Sequence, residues 1–219
     1  MPTSRIAFAR LYGFIDAAYL GDRDPMELTR AMIDGGVDII QVRAKEFTHA
    51  QRVGLTSAVL GAAFRFHVPV IVNDDIATAF ETGADGVHLG QEDWAAIPRD
   101  QRTERLAHMR IVGISTHSLE QALAAERDGA NYIGVGPVFA TDTKPGATPV
   151  GLELISQVKE RVSVPFFAIG GINLESIDQV LEAGATRVAV VSAILKAPDA
   201  RQAAAALKER LDAHAVSEN

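Results

Sequence analysis

The chain has 219 residues, 47% hydrophobic and 6% aromatic, and a formal net charge of −7. That balance supplies an aliphatic core for one domain or two small ones and argues against a general nucleic-acid or membrane surface, so any phosphate site must be local. With no cysteine there is no disulfide, thiolate ligand or thiol nucleophile; no apolar run approaches the roughly 18 residues of a membrane span and Met1 to Ala9 lacks a signal-peptide core, so a soluble, cytoplasmic protein is expected.

Strands are expected near 11–16, 37–43, 69–73, 85–89, 110–114, 131–136, 165–169 and 187–191, most of them continuous apolar runs, as when both faces of a parallel sheet are buried. Helix starts fall between them. Asp24-Pro25-Met26-Glu27 offers a cap, a first-turn proline and an acid, and Thr48-His49-Ala50-Gln51 and Ser118-Leu119-Glu120-Gln121 read as capping boxes. One corner recurs: Gly35-Gly36-Val37-Asp38, Gly83-Ala84-Asp85, Gly129-Ala130-Asn131 and Gly184-Ala185-Thr186, in which a left-handed glycine ends a helix and a short turn feeds a strand. Eight such units predict a single-domain α/β fold, a (β/α)8 TIM barrel, a little short of the usual ~250 residues. A doubly wound open sheet is the alternative, and no Gly-x-Gly-x-x-Gly turn supports it. Residues 1–10 precede the barrel as an N-terminal extension. Residues 198–219 form a closing helix and tail, with Leu207 and Leu211 on one face.

In such a barrel chemistry sits where strands end. Strand 2 runs into Gln41, Arg43 and Lys45, which period two puts on one side: a grip for a phosphate or diphosphate, or else a solvated strand end. Strand 3 delivers Asn73 and Asp74; strand 4 delivers His88 and then Asp93. Mg²⁺ takes one or two carboxylates and completes its shell with water and phosphate oxygens, a role that suits Asp74 and Asp93. Asp75 is expected to cap the next helix, Glu92 to be solvated, and His88 reads as a site residue or a packed barrel residue. Ser115 could donate to a phosphate or a ring, whereas Thr116, His117 or Ser118 could be starting a helix. No Ser-His-Asp set is discernible. After strand 6, Thr141, Thr143 and Lys144 can bind phosphate on a loop that closes over ligand, or belong to a plain surface loop. After strands 7 and 8, Gly171 lets backbone N–H groups approach an anion, and Ser192 opens a helix beside Val191. Together these give two anion sites on opposite arcs of one rim, with a metal beside the first.

These motifs resemble thiamine phosphate synthases. The likeness spans about Leu11 to Pro198 and rests on Gln-x-Arg-x-Lys at 41–45, Asn73-Asp74, the run Gly83 to Asp93, Gly-Ile-Ser-Thr-His at 113–117, Thr-x-Thr-Lys at 141–144, Ala-Ile-Gly-Gly-Ile at 168–172 and Val191-Ser192. It implies a (β/α)8 transferase that joins hydroxymethylpyrimidine diphosphate to thiazole phosphate with release of pyrophosphate. The pyrophosphate would leave first, giving a pyrimidine-methyl cation that the thiazole nitrogen attacks. It also implies that the stretch Gln41, Val42, Arg43, Ala44 and Lys45, with Asn73, binds the pyrimidine diphosphate, and that Asp74 and Asp93 hold Mg²⁺. Ser115 and Lys144 would contact the pyrimidine substrate, Lys144 through its pyrophosphate; Thr141, Thr143, Gly171, Val191 and Ser192 would bind the thiazole phosphate or product, and Asp142 is implied as substrate-binding beside them. Arg43, Lys45, Ser115 and Lys144 are the implied catalytic set. The partners are small molecules, with no nucleic acid or membrane, and self-association is left open. Where the family usually has Thr-Asp after strand 1, this chain has Phe14-Ile15-Asp16-Ala17, which leaves a strand-1 contact open. The alternatives are a thiazole tautomerase-like isomerase, which would need neither the metal nor the diphosphate set, and a non-catalytic thiazole phosphate-binding relative.

Overall fold

The computed structural model describes residues 6–143 and 146–217. Eight parallel strands close into a barrel in sequence order: β1 (Leu11–Asp16), β2 (Ile39–Arg43), β3 (Val70–Asn73), β4 (Gly86–Leu89), β5 (Ile111–Thr116), β6 (Tyr132–Val135), β7 (Phe166–Ile169) and β8 (Val188–Ala189), with β8 paired back onto β1. The connecting layer holds α1 (Ala17–Leu20), α2 (Pro25–Asp34), α3 (His49–Ala63), α4 (Ile76–Thr82), α5 (Gln91–Ala96), α6 (Arg102–Arg105), α7 (Leu119–Arg127), α8 (Gly151–Arg161), α9 (Ile177–Glu182), α10 (Ser192–Leu195) and α11 (Ala200–Ser217). The core lies between strands and helices, where Ile40, Val42, Ile114 and Ile133 join Met32, Val158, Leu207 and Leu211 in one buried cluster. Among the described residues no helix is long and apolar enough to cross a membrane.

The recurring corner has a physical reason beyond helix termination. Its last residue turns back to accept an N–H at the start of the preceding strand: Asp38 Oδ2 from Leu11 N (2.9 Å), Asp85 Oδ2 from Val70 N (3.0 Å) and Asn131 Oδ1 from Val112 N (2.7 Å). An edge donor that would otherwise be orphaned is thereby satisfied three times by one motif. The first corner departs from expectation. Gly35 has φ −82° and it is Gly36, at φ +90°, that is left-handed. Gly35 is a glycine for packing, since a methyl there would lie 2.4 Å from Arg201 O of α11.

The cap at Thr48 is a complete box, Thr48 accepting from Gln51 N and Gln51 from Thr48 N. At Ser118 only half forms. Ser118 Oγ accepts from Gln121 N, while Gln121 Oε1 takes the N–H of His117 at 2.7 Å. Thr116 does not start this helix; it ends β5, buried, its hydroxyl donating to Gly134 O (3.0 Å). Asp75 caps α4 as expected, accepting from Thr78 N at 2.9 Å.

Candidate active site

The C-terminal ends of all eight strands surround a cavity of ≈ 450 Å³. Gln41, Arg43, Lys45, Asn73, Asp74, Asp93, Ser115, Thr141, Thr143, Gly171, Val191 and Ser192 all line it. The period-two alternation that brings Gln41 and Arg43 inward sends the side chains of Val42 and Ala44 the other way, into the core, so those two do not reach the cavity. Asp142 also stands off it; its side chain is 85% exposed and meets Lys196 Nζ at 3.2 Å. Lys144 lies outside the described residues.

The arc from β1 to β4 carries the charge. Arg43 Nη1 donates to Asp16 Oδ2 at 2.7 Å, an aligned pair because Asp16 and Arg43 are register partners across β1 and β2. Asp16 is itself buried and also caps α1 through Ala18 N (3.0 Å), so the strand-1 carboxylate left open by the sequence fixes the guanidinium at the rim. Lys45 Nζ lies 3.5 Å from Asp74 Oδ2. Asp74 has φ +62°, a left-handed conformation that few side chains tolerate and Asp does. Its N–H is held by His88 O at 2.8 Å and its Oδ1 accepts from Gly90 N at 3.3 Å, while the Asn73 amide donates to its Oδ2. Partial desolvation, then the Asp74 carboxylate beside it, push the Asp93 carboxyl above its ordinary range, against the opposing pull of Gly90 N–H and Lys45. Two carboxylates held against their own repulsion form a site that a divalent cation relieves. Among the described residues no cluster of three or more His, Cys, Asp or Glu forms a cage, and two carboxylates are what Mg²⁺ needs when substrate phosphates and water complete its shell. The donor set fits that ion.

Below the rim the barrel interior is neutral and aromatic. Tyr12 stacks on Phe14 (5.4 Å between ring centroids) and meets Phe167 edge-on (5.2 Å); Tyr132 meets Phe167 edge-on at 5.6 Å. His88 is not merely packed there. Its Nδ1 lies 2.9 Å from Tyr132 Oη and its Nε2 2.9 Å from Ser115 Oγ. Burial lowers its pKa to about 4, against the pull of Asp74, so the ring is neutral at pH 7. The Ser-His pairing that the sequence did not reveal is therefore not a nucleophile with its base: so low a pKa makes a weak base, and a tyrosine rather than a carboxylate holds the other ring nitrogen. Burial also raises the pKa values of Tyr12 and Tyr132, which keeps both phenols protonated. These aromatics are the site residues that sequence reasoning missed. The available signal was two of only three tyrosines, together with Phe14 and Phe167, at strand positions of an otherwise aliphatic chain.

The arc from β6 to β8 is built of backbone and hydroxyls. Gly170 (φ +100°) and Gly171 (φ +68°) carry the β7 loop against the β6 loop, with Phe139 N donating to Gly170 O at 3.0 Å. The space beside Gly171 is already taken, since a methyl there would lie 2.6 Å from Ala140 O. Its missing Cβ thus serves loop-on-loop packing as well as leaving backbone open to the cavity. Thr143 Oγ1 meets Tyr19 Oη of α1 at 3.1 Å, and Lys196 lies 5.5 Å from the Tyr19 ring centroid, so the β6 loop rests on α1 and α10.

Relatives share this architecture along nearly its whole length. The sequence model of the family described as thiamine monophosphate synthase matches residues 11–194. The chain belongs to that family. A thiamine-phosphate synthase of Halalkalibacterium halodurans is 43% identical over 194 residues, covering 88% of this chain and 90% of that protein. One from Thermus thermophilus is 45% identical over 187 residues, covering 85% and 88%. The solved thiamine phosphate pyrophosphorylase of Pyrococcus furiosus superposes with a TM-score of 0.84 at 32% identity, over 97% of this chain and 98% of that one. As a thiamine monophosphate synthase family member, the chain is a transferase built on a (β/α)8 barrel, acting on small molecules.

Proposed function

We propose that the chain is a Mg²⁺-dependent thiamine phosphate synthase that moves the hydroxymethylpyrimidine group from its diphosphate to thiazole phosphate by a dissociative route. The observation that carries this reading is the pair Asp74 and Asp93, side by side next to Lys45 and Asn73 at the edge of a neutral aromatic cavity. An isomerase or a thiazole phosphate-binding relative has no need of such a charged arc.

In this reading Arg43, oriented by Asp16, and Lys45 and Asn73 hold the diphosphate while the pyrimidine ring enters the cavity toward Ser115. Asp74 and Asp93 would hold Mg²⁺, which when bound supplies positive charge against the departing pyrophosphate. Arg43, Lys45 and Lys144 stabilise the same developing charge from the protein side. Tyr12, Phe14, Tyr132 and Phe167 wall the cavity and exclude water that would capture the cation. Thr141, Thr143, Gly171, Val191 and Ser192 hold the thiazole phosphate on the opposite arc, so that the thiazole nitrogen faces the cation at reacting distance. No activated nucleophile or strong base is required, in keeping with the weak basicity of His88.

The test is to mix purified protein with both substrates and Mg²⁺ and follow pyrophosphate and thiamine phosphate. Stoichiometric formation of both, abolished by chelation and restored by added Mg²⁺, is expected; absence of turnover with authentic substrates would reject the synthase.

A further inference from the structure

Five side chains form one hydrogen-bonded file through the barrel. Gln41 Nε2 donates to Tyr12 Oη at 2.8 Å, the Tyr12 and Tyr132 hydroxyls meet at 2.8 Å, Tyr132 Oη meets His88 Nδ1 at 2.9 Å, and His88 Nε2 meets Ser115 Oγ at 2.9 Å. Gln41 and Ser115, its two ends, both border the cavity. The links between them are buried, Tyr12 at 1% and Tyr132 at 0% exposure. The neighbouring strand leaves room for it: a methyl on Gly113 would lie 2.1 Å from Tyr132 Cζ and 2.5 Å from His88 Nδ1.

Proton counting gives the file a direction. Each phenol has one proton and a neutral imidazole has one N–H. With the Gln41 amide nitrogen as donor to Tyr12, the arrangement that leaves no buried hydroxyl proton unpaired sends the Tyr12 proton to Tyr132. The Tyr132 proton then goes to His88 Nδ1. The ring must carry its hydrogen on Nε2, where it is donated to Ser115 Oγ. With that lone pair occupied, the Ser115 proton is turned outward to the cavity.

We propose that Tyr12, Tyr132 and His88 are positioning residues that make Ser115 a hydrogen-bond donor to an acceptor nitrogen of the substrate's heteroaromatic ring. An isolated serine could rotate and serve as donor or acceptor to either kind of ring. Tied to this file it selects a ring with a lone pair at that position and disfavours one that presents a hydrogen there, because the mismatch would leave buried polar groups unpaired. The identity of the ring rests on the synthase reading above; the direction of the file does not.

The experiment has two arms. In the first, long-range ¹H–¹⁵N correlation on protein labelled at its six histidines, with His88 assigned by loss of its signals in His88→Gln, reads the tautomer in the free protein. The expected result is the Nε2–H form, becoming a mixture of both tautomers in Tyr132→Phe. In the second, kcat/KM for the pyrimidine diphosphate falls about tenfold in Tyr132→Phe, the equivalent of one hydrogen bond, while KM for thiazole phosphate stays within about twofold. Tyr12→Phe, which leaves Tyr132 a proton to give His88, keeps the tautomer and loses less activity. An Nδ1–H tautomer in the wild type overturns the proposal. So does a Tyr132→Phe protein with unchanged tautomer and pyrimidine kinetics, or one in which both KM values rise together. If the wild type shows the Nε2–H form but does not turn over, the synthase reading fails and the direction of the file stands.

Discussion

The charged rim and the neutral interior of this cavity both depend on hydrogen bonds, but they stabilise opposite things. On the β1–β4 arc, Arg43, Lys45, Asp74 and Asp93 keep contact with solvent, and their pairs, 2.7 Å for Arg43–Asp16 and 3.5 Å for Lys45–Asp74, leave charge to be compensated. In the interior, Tyr12, Tyr132 and His88 are buried and neutral, each polar atom finding a partner in the next. The difference follows from solvation. A charge can be kept ready for a phosphate only where water shares its cost until the ligand arrives, whereas polarity deep in a barrel survives only if it is satisfied from within. The rim is thus built to suit a charged group, and the interior to suit shape and hydrogen-bonding character.

Perturbing each region separately should give distinguishable failures. The largest effect is expected from Asp93→Ala: kcat/KM for pyrophosphate release drops by on the order of 10²–10³-fold, while urea unfolding shows no loss of stability because a repulsion with Asp74 has been removed. Gly113→Ala should do the reverse of that pattern. Its methyl collides with Tyr132 and His88, costing about 1–3 kcal/mol of stability by urea unfolding and disturbing the interior file while leaving the rim's response to Mg²⁺ intact.

His88 should give an acid-labile component of comparable or smaller size. Its pKa is lowered from 6.5 to about 4 in the folded state, so between those values the unfolded chain binds the extra proton. The contribution is complete above pH 6.5 and is lost as the pH falls toward 4, by on the order of 2–3 kcal/mol. Unfolding midpoints near neutrality and near pH 4.5, compared between wild type and His88→Gln, check this; the variant should lack that part of the decline. The smallest effect is expected at the exposed Asp142–Lys196 pair, where Lys196→Ala should change stability by less than about 1 kcal/mol in the same assay.

Much of the fold was legible because barrel strands are buried on both faces and read as unbroken apolar runs. The expected strand at 37–43 became β2 at Ile39–Arg43 and that at 85–89 became β4 at Gly86–Leu89. The residues dropped at their starts belong to corners, where Asp38 and Asp85 serve neighbouring strands as acceptors. Side-chain direction was less legible. Period two already separated Gln41, Arg43 and Lys45 from Val42 and Ala44, but only the placing of β2 in the barrel says which set faces the cavity and which the core. Gly35, Gly113 and Gly171 illustrate a further limit: each is small because of an atom distant in sequence or on a different loop, Arg201 O, Tyr132 Cζ and Ala140 O respectively.

By itself the sequence determined the eight-unit barrel, the capped helices and the charged rim residues, because each is written in local patterns: apolar runs, cap residues, and polar groups directly after a strand. Only the tertiary structure decided that Asp16 would hold Arg43, and that Tyr12 and Tyr132, 120 residues apart, would meet inside the barrel and connect Gln41 to Ser115 through His88. Those contacts depend on closure of the barrel, which brings distant strands face to face, and closure is a property of all eight strands together.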